Sequence, residues 1–191
     1  MLYLASQSPR RRELLGQLGV SFSVLDVDVA EIPLPDEAPV DYVQRVARDK
    51  ARAGWQSLAP QLKADAVVIA SDTEVVLDNR IFGKPKDAGD ASRMLHTLAA
   101  RTHEVMSAVW MMSAEHERGD ICISRVRFAD LSEATIAAYV ASGEPFGKAG
   151  AYAIQGKGAT LIEHLEGSYS GVMGLPLFET ARLLQSFSVA A

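Results

Sequence analysis

AVVIASDTEVVLDNRIF, residues 66–82, is the stretch whose reading decides the fold. Ala66–Ala70 is a continuous apolar run, as expected of a central strand covered on both faces. The run breaks at Ser71-Asp72-Thr73, after which Glu74–Leu77 and Arg80–Phe82 read as a hairpin about Asp78-Asn79. A doubly covered strand belongs to a parallel arrangement, whereas a hairpin adds antiparallel pairs. The two side by side predict an α/β domain with a mixed sheet flanked by helices.

Outward from this stretch, strands and helices alternate. Leu2–Ala5 reads as a strand, and Ser8 with Pro9 opens a helix whose Leu14, Leu15 and Leu18 share a face before Gly19 stops it. Phe22–Val29 reads as a strand, and a Pro- and acid-rich loop over 31–39 leads to a helix turning Val43, Val46, Ala47 and Ala51 inward. Further on, Asp87 caps a helix to about Ala99, and strands follow over Glu104–Met112 and Ile121–Ala129. A helix from Ser132 to about Ser142 precedes a Gly-rich loop and strand pair over 143–172, and Pro176 opens the last helix. No repeat or linker interrupts the 191 residues, which are expected to form one domain.

Composition narrows the function classes. Hydrophobic residues make up 48% and charged residues 23%, an ordinary globular balance rather than a disordered one. A net charge of −5 argues against a protein that coats nucleic acid or anionic membrane. Cys122 is the only cysteine, so no internal disulfide or cysteine-based zinc cluster forms, and it reads as a small core residue. No run reaches the roughly 18 apolar residues of a membrane span. The positive charges near the start follow the apolar residues, the reverse of a signal peptide, so a cytoplasmic location is expected.

Two stretches carry chemistry. Ser6-Gln7-Ser8-Pro9-Arg10-Arg11-Arg12 sits at a strand-to-helix junction, where backbone N–H groups attract anions. Three arginines at a helix start oppose the macrodipole, a local penalty that a bound phosphate would remove. The plain reading is a capped helix with a solvated basic turn. Asp72, beyond an apolar strand, could hold a divalent cation or deprotonate a water, or simply bond its own turn. Lys84 and Lys86 follow the hairpin and by themselves mark a surface turn. The segment GEPFGKAGAYAIQGKG, residues 143–158, fits neither a Walker A loop nor a dinucleotide fingerprint. Tyr169 fills the centre of Gly167–Gly171 where a nucleophile elbow needs serine. His96, His103, His116 and His164 lack metal-ligand spacing and read as structural or exposed.

SQSPRRRELL, ARDKARA, SDTEVVLDNRIFGKPKD, RTHEVMSAV and GKAGAYAIQGKGATLIEHLEGSYSGVMGLPL, in that order, closely resemble the Maf family of nucleoside triphosphate pyrophosphatases, from Leu2 to about Leu184. The resemblance implies an elongated α/β fold with a cleft, a homodimer, and metal-assisted hydrolysis between the α- and β-phosphates. AGAYAIQG is similar to the branch acting on dTTP and UTP. By the same resemblance Asp72 is the proton acceptor, and Ser6, Arg11, Lys50 and Lys84 bind phosphate. Arg10, Thr73 and Gln155 bear on substrate choice, with the Gln155 amide reading the pyrimidine edge. Asp72 with Glu31 is expected to hold Mg²⁺ or Mn²⁺. Two positions depart from the family pattern, Glu74 for an aliphatic residue and Ser107 for a frequent threonine. Strand alternation sends Glu74 toward the Asp72 side, near the metal or out to solvent. The rival readings are a nucleotide-binding regulator of septum formation without turnover, and a nucleic-acid module using Arg10–Arg12, which the net acidity disfavours.

Overall fold

The four residues of β1 (Leu2–Ala5) are all buried, and the sheet is built from them. β1 pairs in parallel with β2 (Phe22–Leu25) on one side and with β3 (Val67–Leu77) on the other. Parallel neighbours need crossover connections, which α1 (Pro9–Gln17) and α2 (Pro39–Ser57) supply. β3 then reverses at Asp78 and Asn79, whose φ angles of 51° and 60° form the turn into the antiparallel β4 (Arg80–Phe82). Beyond lie α3 (Ala88–Leu98), β5 (Thr102–Met112), β6 (Glu117–Phe128), α4 (Glu133–Ala141), β7 (Ile162–Glu166), α5 (Tyr169–Met173) and α6 (Leu177–Ser186). The order in the seven-stranded sheet is β2-β1-β3-β5-β6-β7, with β4 on β3 and β7 antiparallel to β6. This is the mixed α/β sheet that residues 66–82 predict. The computed structural model describes Met1–Val189, so Ala190 and Ala191 of the expected 1–191 domain lie outside the described residues.

The chain divides into two compact units. The first takes residues 1–72, 107–122 and the segment from Gly174 onward. One of its apolar clusters joins Tyr3, Ala5, Ala51, Val68 and Ala70. Here α2 rides close on the sheet because Gly54 has no side chain. A Cβ at that position would stand 2.8 Å from the Ala5 methyl and 2.9 Å from Val68. The second unit takes residues 73–106 and 123–173, with Leu77, Phe82, Leu95, Phe128, Ile136 and Tyr152 in its core.

Four sequence expectations change. Ser71-Asp72-Thr73 does not end a strand, because β3 runs unbroken from Val67 to Leu77. Polar residues are tolerated inside a buried strand when partners satisfy them, and Ser71 and Asp72 both have partners. β2 stops at Leu25 rather than Val29, since β1 offers only Leu2–Ala5 to pair with. The strand pair expected in 143–172 is one strand, β7, preceded by 3₁₀ turns at Ala149–Ala151 and Lys157–Leu161. Gly143, Gly147 and Gly150, with φ of 75°, 72° and 66°, interrupt any extended run there. Cys122 is half-buried in β6 rather than in the core. Of the histidines only His103 is buried, at 1% exposure, and its Nε2 lies 2.9 Å from the Tyr152 hydroxyl.

Candidate active site

The parallel pairing of β1 with β3 runs to Leu4↔Ile69, with Ser6 just past the end of β1 and Asp72 three residues on from Ile69 in β3. The carboxylate and the strand-to-helix junction of α1 are therefore placed by the same parallel pairing. Asp72 is 4% exposed. A lone carboxylate at that depth would be costly, and the cation that answers it comes from α2. Val43, Val46, Ala47, Lys50, Ala51 and Gly54 are all buried, so Lys50 stands on the apolar face of an amphipathic helix. Its Nζ donates to Asp72 Oδ1 at 2.7 Å and pairs with Glu31 Oε1 at 2.6 Å. Glu31, Lys50 and Asp72 thus form one cluster.

The loop bearing Glu31 is braced from α2. Arg45 Nη2 donates to Glu37 Oε2 at 2.8 Å and to the Ile32 carbonyl at 3.0 Å, and the Leu34 N–H donates to Glu37 Oε2 at 2.9 Å. The Arg45 guanidinium beside it holds the Glu37 carboxyl down at about 2. These contacts fix the backbone directly after Glu31.

At the α1 junction, Ser6 Oγ accepts the Ser8 N–H at 3.2 Å, and Ser8 caps the helix by accepting the Arg11 N–H. Pro9 fills the first helical position, as expected, and no acidic residue lies in the first turn. Arg10 and Arg11 are half-buried and Arg12 is exposed. Burial pulls the Arg10 guanidinium below its usual range. Arg11 Nε donates to the Gly174 carbonyl at 2.9 Å, and Ser71 Oγ donates to the same oxygen at 3.0 Å. Gly174 has φ 125°, a backbone that side chains disfavour. Sequence reading missed Ser71 and Gly174. A glycine two residues before the helix-opening Pro176 was the available signal.

Thr73, Lys84 and Gln155 belong to the second unit. Thr73 is half-buried in β3, Lys84 is exposed after β4, and Gln155 is exposed between the two 3₁₀ turns. Glu74 is 8% exposed, which overturns its solvent-facing reading. Ser107 is wholly buried in β5.

Among the described residues no group of three or more His, Cys, Asp or Glu forms a ready metal cage. The site nonetheless fits a hard divalent cation. Asp72 Oδ2 is buried with no hydrogen-bond partner, and Glu31 adds a second carboxylate nearby. Mg²⁺ is ordinarily held by one or two carboxylates, waters and substrate phosphates rather than by an all-protein cage.

A buried acid held by an ammonium, beside a helix that opens with three arginines, suits an α/β protein that handles a polyanion. Residues 1–187 match the Maf-like proteins, and the chain belongs to that family. A dTTP/UTP pyrophosphatase of Xanthomonas campestris is 56% identical over 188 residues, 98% of either chain. One of Methylococcus capsulatus is 58% identical over 184 residues, 96% of this chain and 89% of its own. Among solved structures, the Staphylococcus aureus Ham1 protein aligns over 98% of this chain and 97% of its own, at 13% identity and a TM-score of 0.48.

Proposed function

We propose that this enzyme hydrolyses dTTP and UTP between the α- and β-phosphates, releasing the nucleoside monophosphate and pyrophosphate. Full-length relatives that share more than half of their residues with it carry that activity in their names. The single observation in the chain that carries the reading is the Asp72 carboxylate. One oxygen is fixed by Lys50 and the other is buried with no hydrogen-bond partner. A carboxylate so placed has a lone pair to give to a proton or a cation.

A triphosphate brings about four negative charges, and phosphoryl chemistry is governed by positioning and charge stabilisation. Ser6 and the positive end of the α1 dipole orient phosphate oxygens, and Arg10 and Arg11 add charge-assisted donors. Asp72 accepts the proton of the attacking water. Lys50 holds one oxygen of that carboxylate in place and adds positive charge to the phosphate side. Lys84 meets the departing pyrophosphate, while Thr73 and Gln155 select the nucleoside, the Gln155 amide offering donor and acceptor to a pyrimidine edge. Asp72 and Glu31 would hold Mg²⁺ or Mn²⁺, which supplies Lewis-acid neutralisation of phosphate charge. The reading carries a cytoplasmic homodimer that binds neither nucleic acid nor membrane, supported by the family resemblance and the net charge of −5. Among the described residues no helix is long and apolar enough to cross a membrane.

The decisive assay incubates the protein with dTTP, UTP, CTP, GTP and ATP plus Mg²⁺ and separates pyrophosphate from orthophosphate. Pyrophosphate from dTTP and UTP ahead of the purine nucleotides is expected. Binding without release would favour a regulator that does not turn over, and orthophosphate alone would refute the cleavage position.

A further inference from the structure

The backbone on both sides of Gln155 is tied to one pair of side chains that no sequence motif pointed to. On the near side, the Ala153 N–H donates to the Tyr139 hydroxyl at 3.1 Å. On the far side, the Lys157 N–H donates to Glu144 Oε2 at 2.9 Å and the Gly158 N–H to Glu144 Oε1 at 2.8 Å. The Tyr139 hydroxyl in turn donates to Glu144 Oε1 at 2.8 Å, closing the pair into one unit. Tyr139 projects from α4 at 5% exposure, so its ring is fixed by the core.

Gly156 shows how closely the carboxylate seats. A Cβ at Gly156 would lie 2.3 Å from Glu144 Oε2, so only glycine lets the turn close over the acid. Gly158 is equally confined, its Cβ position lying 2.5 Å from the Ala153 carbonyl and 2.8 Å from the Tyr139 hydroxyl. Three amides, two glycines and a two-residue clamp are spent on a turn whose exposed side chains are Gln155 and Lys157. An exposed glutamine on an unbraced loop would lose rotamer and backbone freedom on every binding event, weakening recognition.

We propose that Tyr139 and Glu144 are positioning residues for base selection: they hold the 153–158 turn so that Gln155 meets a pyrimidine edge in a single orientation. This rests on the reading of Gln155 given above. Neither residue touches the reacting atoms, so loosening the clamp should raise KM for dTTP and erode selectivity while changing kcat much less.

The test compares kcat/KM for dTTP, UTP and ATP in the wild type, Gln155→Ala, Tyr139→Phe, Glu144→Gln and Glu144→Ala, alongside amide hydrogen exchange. Tyr139→Phe keeps the buried ring and Glu144→Gln keeps one acceptor oxygen, so both preserve the fold if Glu144→Ala does not. Expected are faster exchange at Ala153, Lys157 and Gly158, and a dTTP-over-ATP preference reduced about tenfold in Tyr139→Phe and Glu144→Ala, with partial recovery in Glu144→Gln. Unchanged exchange at those three amides would show that no clamp exists. Faster exchange with wild-type selectivity would show that the clamp serves the loop alone, and either result overturns the proposal. If Gln155→Ala destroys selectivity and the clamp variants do not, only the clamp fails. If Gln155→Ala itself keeps wild-type selectivity, the role given to Gln155 fails and the proposal falls with it.

Discussion

Lys50 and Asp72, twenty-two residues apart, meet at 2.7 Å with exposures of 8% and 4%. The helix presents the ammonium and the central strand presents the carboxylate, so the pair exists only once α2 is docked. Removing Lys50 leaves the Asp72 charge buried without its ammonium, whereas removing Asp72 leaves Lys50 paired with Glu31 alone.

Replacing Lys50 with Met is therefore expected to destabilise the fold by about 3–5 kcal/mol, the range for breaking a buried pair from one side. Urea unfolding at neutral pH measures it. The double variant Lys50→Met/Asp72→Asn should recover part of the loss, because the stranded charge is gone. A single variant as stable as the wild type would mean that the pair is solvated.

Asp72→Asn keeps the shape of the side chain and its contact with Lys50, but the amide can neither take a proton nor hold a cation as well. Turnover of dTTP is expected to fall by roughly 10²–10⁴-fold, with the far-ultraviolet circular dichroism unchanged. Near-full activity at saturating Mg²⁺ would remove Asp72 from both proposed roles.

Arg11, proposed above as a phosphate ligand, also has a structural contact, since its Nε donates to the Gly174 carbonyl. Arg11→Ala loses that bond, worth about 0.5–1.5 kcal/mol, and regains a few tenths from relieved repulsion at the helix start. Ser71 still satisfies the carbonyl. The free protein should thus lose under about 1 kcal/mol, while binding of a slowly hydrolysed dTTP analogue should weaken by roughly 1.5–3 kcal/mol. Thermal melts with and without the analogue give both values. A large loss in the free protein with normal binding would make Arg11 purely structural.

His103 sets an acid limit. It is buried against Phe128 and Tyr152, and desolvation pushes its pKa from 6.5 down to about 4. Between those values the unfolded chain binds a proton that the folded one refuses, so stability falls as pH falls from about 6.5 toward 4. At 1.36 kcal/mol per tenfold change, the loss is on the order of 3 kcal/mol. Urea midpoints at pH 7.5, 5.5 and 4.5 should decline in the wild type and decline less in His103→Gln. Parallel slopes in the two proteins would show that other groups govern acid unfolding.

The architecture was legible where local rules and tertiary packing agree. Ser8 before Pro9, Asp87, Ser132 and Pro176 mark helix starts in the sequence and do so in the structure. The course of β3 was not legible, because a polar triplet reads as a break unless its distant partners are known. Lys50 and Gly174 sit at the other ends of those bonds. A lysine on the apolar face of α2 was nevertheless a local signal of a buried acid. The Tyr139–Glu144 clamp left no trace in periodicity, since its meaning lies in backbone N–H groups that any residue could provide. The abundance of glycines around Gln155 hinted at close backbone approach without naming what approaches.

Gly54 lies one helical turn beyond Lys50, on the same face of α2. Replacing a helical glycine with alanine is a routine route to greater heat tolerance, gaining about 0.5–1 kcal/mol. Here the added methyl would collide with Ala5 and Val68 and lift the helix from the sheet. A 2.7 Å contact becomes no hydrogen bond at all once it stretches by about 1 Å. The missing side chain at residue 54 thus lets α2 sit at the depth where Lys50 reaches Asp72. At residue 54, therefore, the substitution that usually hardens a helix against heat would instead loosen the Lys50–Asp72 pair.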